Sequence, residues 1–201
     1  SPNGTNINDA CGSTHPESLQ AAVVEHGADL GVAFDGDADR LLAVDGGGSL
    51  VDGDQIIAMC ALDAKARGRL AGDAVVVTVM TNLGFRRSMD TAGIHIVDTK
   101  VGDRYVLEAL DAGGYSIGGE QSGHVIFREL ASTGDGLLTA VQLLDVVKRA
   151  GRPLADLADE SMTRLPQVLK NVRVAEPPSD VDGPLAPFVE ATDQGRRGLF
   201  V

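Results

Sequence analysis

Apolar residues along this chain fall into two kinds of block. Short runs at 30–34, 41–45, 74–80, 94–97, 115–117 and 125–127 predict strands, and Ala74-Val75-Val76-Val77-Thr78-Val79-Met80 reads as one buried on both faces. Stretches with apolar residues three and four apart predict helices over 16–26, 54–67, 83–91, 104–111, 136–149 and 154–160. In the first helix Leu19, Val23 and Val24 share a face, with Ser13 or Thr14 placed to cap it and Gly27 to end it. The longest is expected to turn Leu137, Leu138, Val141, Leu144 and Val147 to the core. Beyond Pro166 the pattern predicts a strand over 168–174, turns over 177–183 and a helix over 185–191. Strand and helix alternate at short intervals from residue 51, which indicates α/β layers, with domain boundaries expected near 50 and 165.

Composition narrows the picture. The 201 residues are 43% hydrophobic but only 3% aromatic, with no Trp, so the core must come from Val, Leu, Ile and Ala. A formal net charge of −12 argues against non-specific binding to nucleic acid or anionic membrane, although local cations can still serve an anionic substrate. No apolar run reaches transmembrane length and no stretch reads as a signal peptide. Cys11 and Cys60 form no C-x-x-C, which fits reduced thiols in a cytoplasmic protein. The chain opens Ser1-Pro2-Asn3 and closes Leu199-Phe200-Val201 inside an apolar run, so both ends read as cut.

Between the first two strands lies Asp35-Gly36-Asp37-Ala38-Asp39-Arg40. Three carboxylates at alternate positions repel one another and invite a cation, and oxygen ligands favour Mg²⁺, Mn²⁺ or Ca²⁺ over zinc. The alternative is a solvated acidic turn. An EF-hand would need Gly and Glu where Arg40 and Gly46 stand. A second cluster, Gly118-Gly119-Glu120-Gln121-Ser122-Gly123-His124, sets three glycines around groups able to hydrogen-bond sugar hydroxyls; a plain glycine-rich hairpin tip is the other reading. Thr99-Lys100-Val101-Gly102-Asp103-Arg104 is a third polar turn, at a strand end where α/β sheets gather ligands, and its two cations could meet a phosphate.

F-D-G-D-A-D-R followed by G-G-E-Q-S-G-H resembles the α-D-phosphohexomutases. N-I-N-D-A-C-G-S-T-H, T-K-V-G-D-R-Y-V and the E-Q-S form of the sugar loop resemble the bacterial phosphoglucosamine mutase branch, nearly continuously from Asn6 to about Val172. The resemblance implies mixed-sheet α/β layers: one complete domain, the third of four, at 51–164, the end of the second at 1–50, and a linker with the start of the fourth at 165–201. It implies interconversion of glucosamine 6-phosphate and glucosamine 1-phosphate through a phosphoserine and a bisphosphate, in a cytoplasmic enzyme that could form a homodimer when full-length. It carries Asp35, Asp37 and Asp39 to Mg²⁺ ligands, Glu120 and Ser122 to sugar-hydroxyl contacts, and Arg40 and His124 to neighbouring substrate-binding positions. No catalytic nucleophile is implied in this stretch. The family's T-A-S-H-N-P-like serine loop is absent, Ser13-Thr14-His15-Pro16 matching a second-domain segment instead, and so is its R-x-S-G-T-E-P phosphate loop. Ala38 stands where many relatives have Gly, a methyl expected to be tolerated. The alternatives are a phosphomannomutase or phosphoglucomutase segment, whose relatives often carry E-M-S, and a non-catalytic metal and sugar-phosphate binding module.

Overall fold

The computed structural model describes residues 3–168. Residues Ser1–Arg164 form one compact unit; of a second, Leu165–Val201, only 165–168 are described. Apart from Val168, the strand, turns and helix expected after Pro166 therefore lie outside the described residues.

The chain opens with an irregular segment and helix α1 (Glu17–His26), which Gly27 closes in the left-handed conformation at φ 59°. Its N-cap is Pro16, without a side-chain cap. Ser13 and Thr14 do not serve, contrary to expectation: Ser13 is buried with its N–H on Phe34 O, and the Thr14 hydroxyl turns back to Cys11 O. Strands β1 (Leu30–Phe34), β2 (Leu41–Asp45) and β3 (Leu50–Val51) form an antiparallel sheet. The register Phe34↔Leu41 and Val32↔Ala43 puts these four side chains on one face, where they join the main core. Gly31 leaves the other face open to α1; a Cβ there would sit 2.6 Å from Val23 Cγ2.

Helix α2 (Gly53–Ala66) begins in a capping box between Asp52 and Gln55 and runs nearly all-apolar through the core. Then follow β4 (Ala74–Thr78), α3 (Leu83–Thr91), β5 (His95–Thr99), α4 (Asp103–Gly113), β6 (Ile117–Gly119) and β7 (Val125–Phe127). The sheet order is β5-β4-β6-β7, with β4 parallel to β5 and β6, and β7 antiparallel at the edge. Successive side chains of β4 alternate between two cores. Val75 and Val77 pack with Phe85 and Met89 of α3, and Val76 packs with Val106 and Leu110 of α4. The chain thus winds one way from β4 to β5 and back from β5 to β6, with one helix on each face, and the parallel strands end together at Thr78, Thr99 and Gly119.

Two expectations are corrected. Gly118 and Gly119 belong to strand β6 rather than to a loop, because they pair with Val76 and Val77 on one side and Ile126 and Val125 on the other. A Cβ at Gly118 would lie 2.7 Å from Val76 O. Helix α5 (Gly136–Ala150) buries Gly136, Thr139, Ala140 and Leu143, while Leu137, Val141 and Leu144 are 65%, 53% and 42% exposed. Leucines and valines also flank its polar side, which carries Gln142, Asp145 and Arg149, so their spacing alone did not fix its rotation. Close packing at its first residue does: a Cβ on Gly136 would fall within 2.8 Å of Ala38 O and Arg40 O. Helix α6 (Leu154–Ser161) closes the unit against α2.

Candidate metal and ligand site

The acid motif is the six-residue link between β1 and β2. Arg40 N–H donates to Asp35 Oδ1 at 3.1 Å and Ala38 N–H to Asp35 O at 3.2 Å, so Asp35 templates the turn. Ala38 makes the reversal at φ 59°, where a Cβ is strained but present, so the methyl is accommodated. One ligand oxygen from each of Asp35, Asp37 and Asp39 lies within 4.8 Å of the others. Asp37 is exposed; the Asp35 side chain is 6% exposed and that of Asp39 30%. Arg40 offers partial compensation, its Nε being 3.6 Å from Asp35 Oδ2 and 3.9 Å from Asp39 Oδ1. The Asp39 Oδ1 atom is buried and accepts no hydrogen bond from the described residues. Three converging carboxylates, one with an orphaned buried oxygen, fit a hard divalent cation such as Mg²⁺.

The Glu120 turn lies against this loop. Glu120 N–H donates to His124 O and Gly123 N–H to Glu120 O, both at 3.0 Å, which closes a tight reversal between β6 and β7. Leu41 N–H donates to Gly123 O at 3.0 Å, and Arg40 and His124 form a β-bridge. Gly123, at φ 94°, permits that approach, since a Cβ would overlap Leu41 O. Two clusters 80 residues apart in sequence are thereby joined through backbone. The His124 ring is 3% exposed, with Nδ1 2.9 Å from Asp39 Oδ2.

Glu120 is only partly buried, and its Oε1 accepts the Gly102 N–H at 2.9 Å. The third polar turn therefore does reach the second, through a backbone amide rather than a cation. Arg104 pairs with Glu108 at 2.7 Å, which raises its pKa, and Lys100 Nζ lies 5.9 Å from the centre of the Tyr105 ring. Ser122 is exposed at the tip of the turn.

Sequence reasoning missed the support beneath the turn. Gly53, the first residue of α2, donates its N–H to Gln121 O at 3.0 Å, and Gln121 Nε2 donates to Asp52 Oδ2 at 3.3 Å. Arg164 Nη2 pairs with the same Asp52 oxygen at 3.1 Å. The D-x-x-Q capping box was the readable signal for Asp52. Asp54 was also missed. It is fully buried, and burial pushes its pKa up to about 7 against the opposing Asn82 N–H, which donates at 2.8 Å. Its Oδ1 and the neighbouring Thr81 hydroxyl are both buried and, among the described residues, meet no partner with hydrogen-bond geometry, although Thr81 is close enough to oppose the rise in the Asp54 pKa. Neither cysteine is in a disulfide; Cys11 is exposed, and burial pushes the Cys60 thiol up to about 12.

Residues 52–165, more than half the chain, match the family model described as phosphoglucomutase/phosphomannomutase, alpha/beta/alpha domain III. The chain is 64% identical over 173 residues to the phosphoglucosamine mutase of Symbiobacterium thermophilum, covering 86% of this chain and 38% of that protein. It is 56% identical over 199 residues to that of Pelotomaculum thermopropionicum, covering 98% of this chain and 44% of the relative. The chain thus spans about two fifths of the length of these curated relatives. Among solved structures, a phosphoglucomutase/phosphomannomutase family protein from Burkholderia thailandensis matches 72% of this chain and 32% of its own at 32% identity and TM-score 0.65. The Aspergillus fumigatus N-acetylphosphoglucosamine mutase, solved with GlcNAc-6P and magnesium, shares the fold at TM-score 0.72 and 22% identity, over 96% of this chain and 46% of that one.

Proposed function

This chain belongs to the phosphoglucomutase/phosphomannomutase family, and from that premise we propose that it supplies the metal-binding and sugar-binding loops of a phosphoglucosamine mutase. Such an enzyme interconverts glucosamine 6-phosphate and glucosamine 1-phosphate through a phosphoserine and a bisphosphate. The reading rests on the names of its relatives and on one structural observation, the joining of the acid loop to the Glu120 turn through Leu41, Gly123 and the Asp39–His124 contact.

Asp35, Asp37 and Asp39 would hold Mg²⁺, whose chemistry here is to neutralise charge on a phosphoryl group in transfer. Glu120 is prepared for a sugar. Gly102 fixes one carboxylate oxygen, and Oε2, without a partner among the described residues, is left to accept from a ring hydroxyl. Ser122 stands two residues on, exposed, to donate or accept beside it. Arg40 places a half-exposed guanidinium at the rim of the acid loop, suited to a phosphate. Residues 1–50 would end the metal-loop domain, 51–164 form the sugar-binding domain, and 165–201 lead into the phosphate-binding domain. The intact enzyme would be cytoplasmic, act on hexosamine phosphates and pair as a homodimer, with neither nucleic acid nor membrane as a partner.

No residue in this sequence takes the place of the family's serine nucleophile, so the chain alone is expected to bind without turnover. The test is ³¹P NMR of the purified chain and of the intact enzyme with glucosamine 1-phosphate, Mg²⁺ and a bisphosphate primer. Glucosamine 6-phosphate should appear only with the intact enzyme, faster than glucose or mannose phosphates interconvert. Preference for glucose or mannose phosphate would reassign the sugar. Turnover by the chain alone would overturn the division of labour.

A further inference from the structure

We propose that Asp52 is a positioning residue for the Glu120 turn: its carboxylate grips the Gln121 side chain from beneath and so fixes the direction in which Glu120 is presented. The inference rests on reading Glu120 as a sugar contact.

The start of α2 is a platform for the turn. Gly53 N–H donates to Gln121 O at 3.0 Å. A Cβ on Gly53 would overlap Glu120 O and fall 2.7 Å from Gly123 N, so only glycine lets the helix start come this close to the turn backbone. That single hydrogen bond leaves the turn free to pivot about one peptide. Asp52 supplies a second point of attachment. Its Oδ1 accepts the Gln55 N–H at 3.2 Å within the capping box, and its Oδ2 accepts from Gln121 Nε2 at 3.3 Å. A carboxylate only accepts, so the nitrogen of the Gln121 amide is the end that faces it. Gln121 is thereby tied to α2 through backbone and side chain together.

The grip is itself braced. The Asp52 side chain is 6% exposed, and Arg164 Nη2 pairs with the same Oδ2 at 3.1 Å. Burying a carboxylate is costly unless charge and hydrogen bonds compensate, and here the Gln55 and Gln121 donors and the Arg164 guanidinium do so. Glu120 is then held from two directions. Gly102 fixes its Oε1, and α2 fixes the peptide that follows it. Misplacing a substrate-orienting group by about 1 Å can cost on the order of 100-fold in rate, so the second restraint matters to a ligand and not only to the fold.

Asp52→Asn separates the two tasks of this side chain. Asparagine caps helices about as well as aspartate, so α2 keeps its start. With the amide oxygen on the Gln55 N–H, the amide nitrogen faces Gln121 Nε2 and Arg164, donor against donor, and the grip is lost. Adding Gln121→Glu restores an acceptor opposite that nitrogen and a partner for Arg164. In the intact enzyme with glucosamine 1-phosphate and Mg²⁺, Asp52→Asn should lower kcat/KM about 10-fold while the Tm stays near wild type. The double variant should return to within about 3-fold of wild type, and in a Glu120→Ala background Asp52→Asn should cost less than about 2-fold more. Wild-type kinetics for Asp52→Asn, a double variant no better than the single one, or a further loss of about 10-fold in the Glu120→Ala background overturns the positioning role and leaves the sugar reading standing. Normal kinetics for Glu120→Ala alone overturns the sugar reading and this inference with it. If Asp52→Asn fails to fold, the Gln121 side-chain amide of the unsubstituted chain decides by ¹⁵N NMR: slow exchange of its protons with water is expected, and exchange as fast as that of a solvated glutamine refutes the proposal.

Discussion

In the acid loop, three carboxylates crowd within 4.8 Å and one buried oxygen has no donor among the described residues. In the Glu120 turn, the neighbouring backbone groups are matched: Glu120 to His124, Gly123 to Glu120, Gly53 to Gln121 and Gly102 to the Glu120 carboxylate. One region concentrates negative charge, and the other spends its polar groups on holding still. The contrast suits a site in which a cation completes one half and a rigid turn presents a single side chain from the other. Glycines make the meeting possible, because at Gly53, Gly123 and Gly136 a Cβ would press on backbone atoms of the opposing segment.

The comparison breaks most decisively at Glu120. If the turn exists to present that carboxylate, Glu120→Ala in the intact enzyme should lower kcat/KM by about 100-fold or more, since charge-assisted hydrogen bonds contribute roughly 1.5–3 kcal/mol each. Ser122→Ala should lower it by only about 5-fold, and thermal melts of both should stay near wild type. A Glu120→Ala enzyme with normal kinetics and a lowered Tm would make the turn purely structural.

The rigidity of the turn is tested at Gly123. A Cβ there meets Leu41 O at a backbone φ of 94°, so Gly123→Ala should destabilise the chain by on the order of 3 kcal/mol in urea unfolding. An unchanged midpoint would mean that the two loops are not in register as described.

Beneath the turn, Asp54 gives a pH signature. Its folded pKa of about 7 stands above the ordinary 3.8, so the folded chain keeps a proton that the unfolded chain releases. Stability should therefore fall as pH rises from about 4 through 7, by about 1.4 kcal/mol per pH unit within that window, and level off above it. Asp54→Asn, whose amide can donate to Thr81 and still accept from Asn82, should remove this component and raise the Tm at pH 8. An Asn variant that melts lower than wild type at pH 8 would contradict it.

The smallest effect is expected at the tip of the acid loop. Ala38 sits at φ 59°, so Ala38→Gly should change stability by no more than about 1 kcal/mol, relief of strain being offset by greater freedom in the unfolded chain. A larger change in either direction in urea unfolding would mean that the turn is held differently.

How far the sequence foretold this arrangement depended on whether local chemistry or tertiary contact decided each feature. Helix α3 occupies 83–91 as expected, because Asn82 caps it and its pattern is strongly amphipathic. The acid loop was legible from its alternating carboxylates alone. The face of α5 was not, since Leu137, Val141 and Leu144 are as apolar as the residues it buries, and the choice is made by Gly136 against Ala38 and Arg40. Strand β6 was misplaced because glycines in a central strand look like a turn until Val76 and Ile126 are seen on either side. The roles of Gly102 and Asp52 depend on partners 18 and 69 residues away, distances at which no local pattern speaks.

The central claim is that the acid loop and the Glu120 turn form one site around one cation. Paramagnetic broadening of the chain's amide resonances by substoichiometric Mn²⁺ tests it directly. The account predicts that amides of 36–41, 120–124 and 134–136 broaden together, and that Asp37→Asn weakens Mn²⁺ binding about 10-fold and shifts all three segments alike. Broadening confined to 35–40, or spread over other surface acids and indifferent to Asp37→Asn, would contradict it.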